Sequence, residues 1–326
     1  MVKVPEPTLS VVVPLFNESA GIELFHKSLL EAVEATVGKS YEIIYCDDGS
    51  DDDTANLIRS WHGAHSNIKL IQLSRNFGKE NALSAGIAQA TGRAVMMIDG
   101  DGQHPVGLIP RFVEAWQAGA QVVVGLTGNK QNGTLKRLES KLFYKLFNII
   151  TGQKLQPGST DFRLIDQAVR QEFLRLHESG RITRGLIDWL GFKRQFVYFE
   201  TKPRLIGTAG YSHRKLLGLA ANSFVSLSPA PLYVFGYLGV LISATSFILG
   251  SAVFIEQLLL SDPLNWNFSG TAMLVILIIF LVGVVLMSQG ILSLYVSHIH
   301  TQSKQRPLYV IDYSKSAGIL NLHENQ

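Results

Sequence analysis

With 326 residues, the chain is long enough for one large domain plus an appendage, since a domain ordinarily runs to roughly 100–200 residues. Its single cysteine, Cys46, lies in an apolar run and excludes a disulfide framework. The formal net charge is only +3, no nucleic-acid partner is expected, and the opening Met1-Val2-Lys3-Val4-Pro5-Glu6-Pro7 lacks the apolar core of a signal peptide.

The first part of the chain alternates strand-like and helix-like patterns. Residues 9–16 are continuous and β-branched, as in a strand buried on both faces, and residues 19–37 follow with helical spacing that points Leu24, Leu29 and Val33 inward. The strand signal returns at 41–46, 68–73, 94–98 and 121–124, with helical stretches at 53–61, 79–90 and 106–118 between. This order predicts an α/β domain with a mostly parallel sheet and helices on both faces.

Three of those strands end in acids: Asn17-Glu18 after the first, Asp47-Asp48 after the second, and Asp99-Gly100-Asp101 after the run 94–98. The carboxyl edge of such a sheet is where ligands bind. Two carboxylates separated by one glycine suit a divalent cation carrying a diphosphate, although the same triplet also fits a solvated Asp-Gly turn.

Beyond residue 130 the pattern changes. Residues 135–150 form an amphipathic helix with Lys136, Arg137, Lys141 and Lys145 beside an aromatic face, suited either to packing on the sheet or to anionic lipid or phosphate. Residues 213–224 are basic and then apolar, so an interfacial helix is expected over 211–229. The uncharged runs 232–255 and 270–298 each exceed the roughly 20 residues that span a bilayer. Two transmembrane helices are therefore expected, at about 232–255 and 271–296. Their connecting loop holds Glu256 and Asp262 but no Lys or Arg, whereas Arg214, Lys215, Lys304 and Arg306 flank the pair, so both termini, and the α/β domain with them, are expected on the cytoplasmic side of the cell membrane. A strand at 307–313, within a tail of 299–326, needs a pairing partner, and a neighbouring subunit of a homo-oligomer is the expected one.

The three acid-bearing strand ends, together with Ser159-Thr160-Asp161-Phe162-Arg163-Leu164 and the two apolar runs, resemble the inverting, metal-dependent glycosyltransferases of the nucleotide-diphospho-sugar (A-type, Rossmann-like) fold. Within them the resemblance is to the polyprenyl-phosphate glycosyltransferases, the group of bactoprenol glucosyltransferases and dolichol-phosphate mannose synthase, and it covers nearly the whole chain. It implies a domain at 1–210 in which Pro14, Phe16 and Glu18 line the base and ribose pocket and Asp48 accepts a hydrogen bond from the base. Asp99 and Asp101, with Gln103 beside them and Gly100 between, would hold Mg²⁺ or Mn²⁺ against the nucleotide sugar's phosphates. Asp161 and Asp101 are the implied catalytic residues. Because a lipid phosphate is already anionic, Asp161 either acts directly on the acceptor or orients it. Lys136, Arg137, Arg163 and Arg181, with Arg184 nearby, are the candidates for the acceptor phosphate, and Arg204 belongs to a loop over the diphosphate. The chain departs from the family at Thr127, where an arginine is usual, and at 207–212.

The implied reaction is inverting transfer of a sugar, with glucose from UDP-glucose the first expectation, onto a polyprenyl phosphate at the cytoplasmic membrane face. A separate flippase is implied because two helices offer no path for a lipid-linked sugar. GDP-mannose or another nucleotide sugar remains the alternative donor. A catalytically silent nucleotide-sugar-binding scaffold is the rival, opposed by the intact Asp48, Asp99, Asp101 and Asp161.

Overall fold

The computed structural model describes residues 6–127, 158–178, 181–200 and 270–319, with isolated positions between 237 and 248. The chain divides into two units, one of residues 1–145, 153–210 and 306–326 and the other of 146–152 and 211–305.

The first unit is built on seven strands: β1 (Leu9–Leu15), β2 (Tyr41–Asp47), β3 (Ile68–Gln72), β4 (Ala94–Met97), β5 (Val122–Thr127), β6 (Ser159–Asp166) and β7 (Arg194–Phe199). They lie in the order β3-β2-β1-β4-β6-β5-β7. Between them run α1 (Ile22–Val37), α2 (Thr54–Ala64), α3 (Lys79–Gln89), α4 (Ile109–Gln117), α5 (Gln167–Leu174) and α6 (Thr183–Trp189). β1 and β2 are buried at every residue, as expected of mostly apolar strands covered on both faces, and the buried Glu42 of β2 is paired with Lys69. Alternate strand residues enter two separate cores. Val11, Val13 and Leu15 pack with α1, α2 and α4, while Val12 packs on the opposite face with α3, α5 and α6. In α1 the buried face is Ile22, Phe25, Leu29 and Val33, so the expected Leu29 and Val33 point inward while Leu24 is 60% exposed and Phe25 takes its place.

Two local constraints shape the carboxyl edge of the sheet. Val12 accepts a hydrogen bond from the Ile98 N–H at 3.1 Å, so β1 turns its even-numbered peptide groups towards β4. The next such residue is Pro14, which has no N–H to donate. Pairing with β4 therefore ends at Val12 and Met97, while pairing with β2 continues to Leu15 and Asp47. The chain is released from β1 just where Asp99-Gly100-Asp101 begins. On the other face, α3 packs so closely that a Cβ on Gly86 would come within 2.3 Å of Val12 Cγ1 and 2.5 Å of Cys46 Sγ.

β6 was not expected as a strand, and it runs antiparallel to both β4 and β5 in an otherwise parallel sheet. Met97 pairs with Arg163, and two further steps of that register bring Asp161 level with Asp99. The chemistry expected of Asp161 thus comes from sheet register rather than from a loop.

The tail corrects another expectation. Residues 310–317 pair with β3 of the same chain and not with a neighbouring subunit. Ser74 N–H donates to Val310 O, Asp312 N–H to Gln72 O, and Leu70 and Ala317 exchange two bonds, all at 2.9 Å. The exposed edge of β3 is itself the unpaired row that the segment needs.

In the second unit α7 (Gly270–Ser303) carries the second uncharged run and extends beyond it. Its portion Phe280–Ser303 is long and apolar enough to cross a membrane; its 24 residues rise roughly 36 Å against a hydrocarbon thickness of roughly 30 Å. Phe280, Val282, Val285 and Met287 are exposed. The run 232–255 is described only at 237–239, 241, 242, 244, 245 and 248, all helical. The helices expected at 135–150 and 213–224, and with them Lys136, Arg137 and Arg204, lie outside the described residues.

Ala317→Pro removes one donor of the Leu70 pair and should cost about 1–3 kcal/mol, read as a lower denaturant midpoint. Ser314→Ala, whose hydroxyl bonds only within the tail, should leave the midpoint in place. Equal midpoints for the two variants would show that the tail does not stabilise the sheet.

Candidate active site

The loops that follow β1, β2 and β3 are stitched together at the carboxyl edge. Asn17, at a left-handed φ of 56°, donates its N–H to Ser50 Oγ and accepts from Asp51 N–H through its side chain. The Glu18 N–H meets Thr54 Oγ1 and the Ser19 N–H meets Asp52 Oδ2, both at 3.0 Å. Of the residues expected to line a nucleoside pocket, Phe16 is 42% exposed just after β1 and Pro14 is buried within β1. Asp48 is occupied more fully than expected. Its two carboxylate oxygens accept the Phe77 N–H at 2.7 Å and the Gly78 N–H at 2.8 Å. Burial raises its pKa, and the two peptide donors and nearby Arg75 oppose that rise.

What those bonds hold in place is the start of α3, whose first residue is Lys79. Its ammonium lies 2.6 Å from Asp99 Oδ1 and 2.8 Å from Asp161 Oδ2. Burial alone would lower the Lys79 pKa, but the two carboxylates outweigh it and the net shift is upward. Burial likewise pushes Asp161 up, whereas Lys79 first and then Arg184 and Arg163 pull it below the ordinary carboxylate range. Asp161 is thus held as an anion and is a weak proton acceptor. Sequence reasoning missed Lys79 because β3 is the one early strand without an acid at its end, although Gly78-Lys79 stands at the same edge as the three acid-bearing turns.

The Asp99-Gly100-Asp101 turn follows closely on the end of β4 at Met97. A Cβ on Gly100 would come within 2.4 Å of Leu15 Cδ2, so the turn passes flat over the end of β1. The Gln103 N–H donates to Asp101 Oδ1 at 3.0 Å. His104, buried, accepts the Asp99 N–H on Nδ1 at 3.3 Å and stacks on Phe162 at 5.2 Å. Burial lowers its pKa despite neighbouring Asp99. A neutral imidazole protonated on Nε2 suits that acceptor role.

Two of the arginines assigned to the acceptor phosphate have other work. Arg163, 1% exposed, donates to both oxygens of Asp188, to Ser159 Oγ and to the carbonyls of Thr160 and Arg184. Its donors are spent in fastening β6 to α6. Arg181, also buried, bonds Ser84 Oγ and the Phe173 and Leu176 carbonyls and lies over the Phe173 ring. In this structure both guanidiniums are engaged by groups of the fold itself, although Arg181 keeps a buried Nε with no hydrogen-bond partner among the described residues. Arg184 remains within electrostatic reach of Asp161, and Glu80 accepts the Thr183 N–H at 2.8 Å, tying α3 to that segment. Thr127, standing where the family usually has arginine, donates its N–H to Gly158 O at 3.0 Å and closes β5 against β6.

Asp99, Asp101, Gln103, Lys79 and Asp161 thus gather hard oxygen donors and one ammonium at the edge where an α/β sheet binds nucleotides. No group of three or more His, Cys, Asp or Glu is clustered for a metal among the described residues. Two carboxylates on one turn nevertheless fit a divalent cation whose remaining ligands include ligand phosphate and water. The signature of glycosyl transferase family 2 matches residues 10–174, which run from the second residue of β1 to the end of α5.

The chain belongs to glycosyl transferase family 2.

An uncharacterised glycosyltransferase of Synechocystis is 37% identical to it over 93% of this chain and 94% of that protein. The bactoprenol glucosyl transferase of Shigella phage SfV is 36% identical over 94% of this chain and 99% of that one. Glucosyl-3-phosphoglycerate synthase of Mycobacterium tuberculosis, solved with Mn²⁺, UDP and glucosyl-3-phosphoglycerate, is 22% identical with a TM-score of 0.47, covering 68% of this chain and 78% of that one. This family 2 glycosyltransferase has the A-type nucleotide-sugar transferase fold that its motifs implied.

Two measurements check the charge assignments. Asp188→Ala strands Arg163 as a buried cation and should destabilise the domain by about 3–5 kcal/mol, whereas an arginine reserved for substrate would leave stability little changed. Asp161 is depressed in the folded state, so its contribution to stability is present above the unfolded carboxylate pKa of about 3.9 and is lost as pH falls through the lower folded value. Lys79→Met removes the largest opposing charge. Its melting-temperature deficit against wild type should therefore shrink as pH falls from about 5 towards 2; a deficit that does not change with pH contradicts the pairing.

Proposed function

We propose that this enzyme transfers glucose from UDP-glucose onto the phosphate of a polyprenyl lipid at the cytoplasmic face of the membrane, with inversion at the anomeric carbon. The observation that carries the reading is the meeting of Asp99 and Asp161 on one lysine: a donor-side carboxylate and an acceptor-side carboxylate face each other across a single ammonium. The bactoprenol glucosyl transferase relatives, which align over nearly their whole length, support the lipid-phosphate acceptor. The apolar stretch of α7 supports delivery of that acceptor from a bilayer.

Phe16 and Glu18 line the nucleoside side of the pocket in this reading. Asp48 contributes by fixing the loop before Lys79, with lone pairs left for a base N–H. Asp99 and Asp101, with Gln103, would hold Mg²⁺ or Mn²⁺, which when bound supplies Lewis-acid neutralisation of the departing nucleoside diphosphate. The acceptor is a phosphate monoester, anionic near pH 7, and attacks without prior loss of a proton. Asp161 therefore orients rather than deprotonates, keeping Lys79 at the line of attack. Arg184, Lys136, Arg137 and Arg204 are the candidate contacts for the two phosphates. A homo-oligomer and a separate flippase complete the proposed assembly.

Membranes carrying the protein should convert radiolabelled UDP-glucose into an organic-extractable, mild-acid-labile product, and Asp101→Ala should abolish it. Label appearing from GDP-mannose instead would replace the donor, and no product from any nucleotide sugar would sink the assignment. Asp161→Asn should lower turnover on the order of 10²-fold through misplacement of the reacting groups, measured at saturating donor and metal. Near-normal turnover in that variant would remove Asp161 from the site's chemistry.

A further inference from the structure

We propose that Lys79 is a positioning residue that competes with the donor's divalent cation for Asp99, so that loading of the donor hands Lys79 over to Asp161. The inference rests on the reading of Asp99 and Asp101 as the cation site. Its basis is the shared ammonium, 2.6 Å from Asp99 Oδ1 and 2.8 Å from Asp161 Oδ2.

Three features make this a movable contact rather than a fixed one. The backbone at Lys79 is anchored, because Asp48 holds the two preceding peptide groups and the helix behind is packed on β1 and β2. The side chain is not: it is 42% exposed, on a flexible four-carbon stem carrying a compact charge. Asp161 offers a second carboxylate within reach, so the ammonium can leave Asp99 without losing ion pairing.

A divalent cation on an Asp99 oxygen and an ammonium on that same oxygen would stand within about 5 Å of each other, and like charges that close repel. The seated cation therefore weakens the Lys79–Asp99 contact. By reciprocity Lys79 weakens the cation by the same factor. With Asp99 taken, the ammonium is left to Asp161 and to an incoming anion on that side. The acceptor side of the site is then assembled only after the donor side is filled.

The test is Mn²⁺ binding to the full-length protein in detergent with UDP present, followed by electron paramagnetic resonance or calorimetry, which needs no turnover. Lys79→Met should tighten Mn²⁺ binding roughly 5-fold or more, the lower end of typical coupling between sites. Lys79→Arg should keep near wild-type affinity. Asp161→Asn, which leaves Lys79 with Asp99 alone, should weaken Mn²⁺, and that effect should vanish in the Lys79→Met background. Unchanged or weaker binding in Lys79→Met overturns the competition, as do additive effects in the double variant, which a general change of local charge would produce. Wild-type protein that binds no Mn²⁺, or binds it equally well as Asp101→Ala, overturns the cation site and this inference with it.

Discussion

The ion pair on which the rest of the site depends is the Lys79 ammonium between Asp99 and Asp161, and each partner reaches it by a different structural route. Lys79 is placed by a loop, which Asp48 holds through two peptide N–H groups. Asp99 is placed by a strand end, freed from β1 because Pro14 cannot continue the ladder. Asp161 is placed by register, since β6 runs antiparallel beside β4. Three independent parts of the fold therefore have to agree to within a hydrogen bond's length, and the buried fastenings around them serve that agreement. Arg163 ties β6 to α6 through Asp188, and Glu80 ties α3 to the start of α6.

Local pattern and tertiary context were unequally readable. The parallel half of the sheet was legible because an unbroken β-branched run followed by a 3.6-residue periodicity has few other interpretations. The donor turn was legible because acids at strand ends recur at one edge. β6 was not, because Ser159-Thr160-Asp161 opens it with three polar residues in a row and Arg163 follows, an arginine that a strand buries only when another element supplies its acceptors. The same blindness affected charge. A linear reading treats an arginine beside a candidate acid as free for substrate, whereas the fold decides whether a carboxylate and three other acceptors already surround it. Lys79 shows the converse, an unremarkable helix-start lysine made central by two residues distant from it in sequence.

The tail follows from the edge-strand argument carried one step further. A segment in need of a strand partner and a sheet with an open edge within the same chain satisfy each other. That closure matters for architecture: residues 310–317 come after α7 in sequence yet belong to the first unit. In sequence, α7 is thus bracketed by two stretches that both belong to the first unit.

Charge balance bears most directly on what the site can bind. Asp99, Asp101 and Asp161 bring three carboxylates to a region where, among the described residues, Lys79 is the ammonium in direct contact and Arg184 the nearby guanidinium, while Arg163 is neutralised by Asp188. A nucleoside diphosphate approaching those carboxylates meets repulsion unless cationic charge arrives with it. In the proposed reading, a divalent ion on the hard oxygens of Asp99 and Asp101 would supply that charge. On the proposed handover, the single lysine that neutralises two acids at once would then be released from Asp99, and the same ammonium would become available to hold the acceptor side in line.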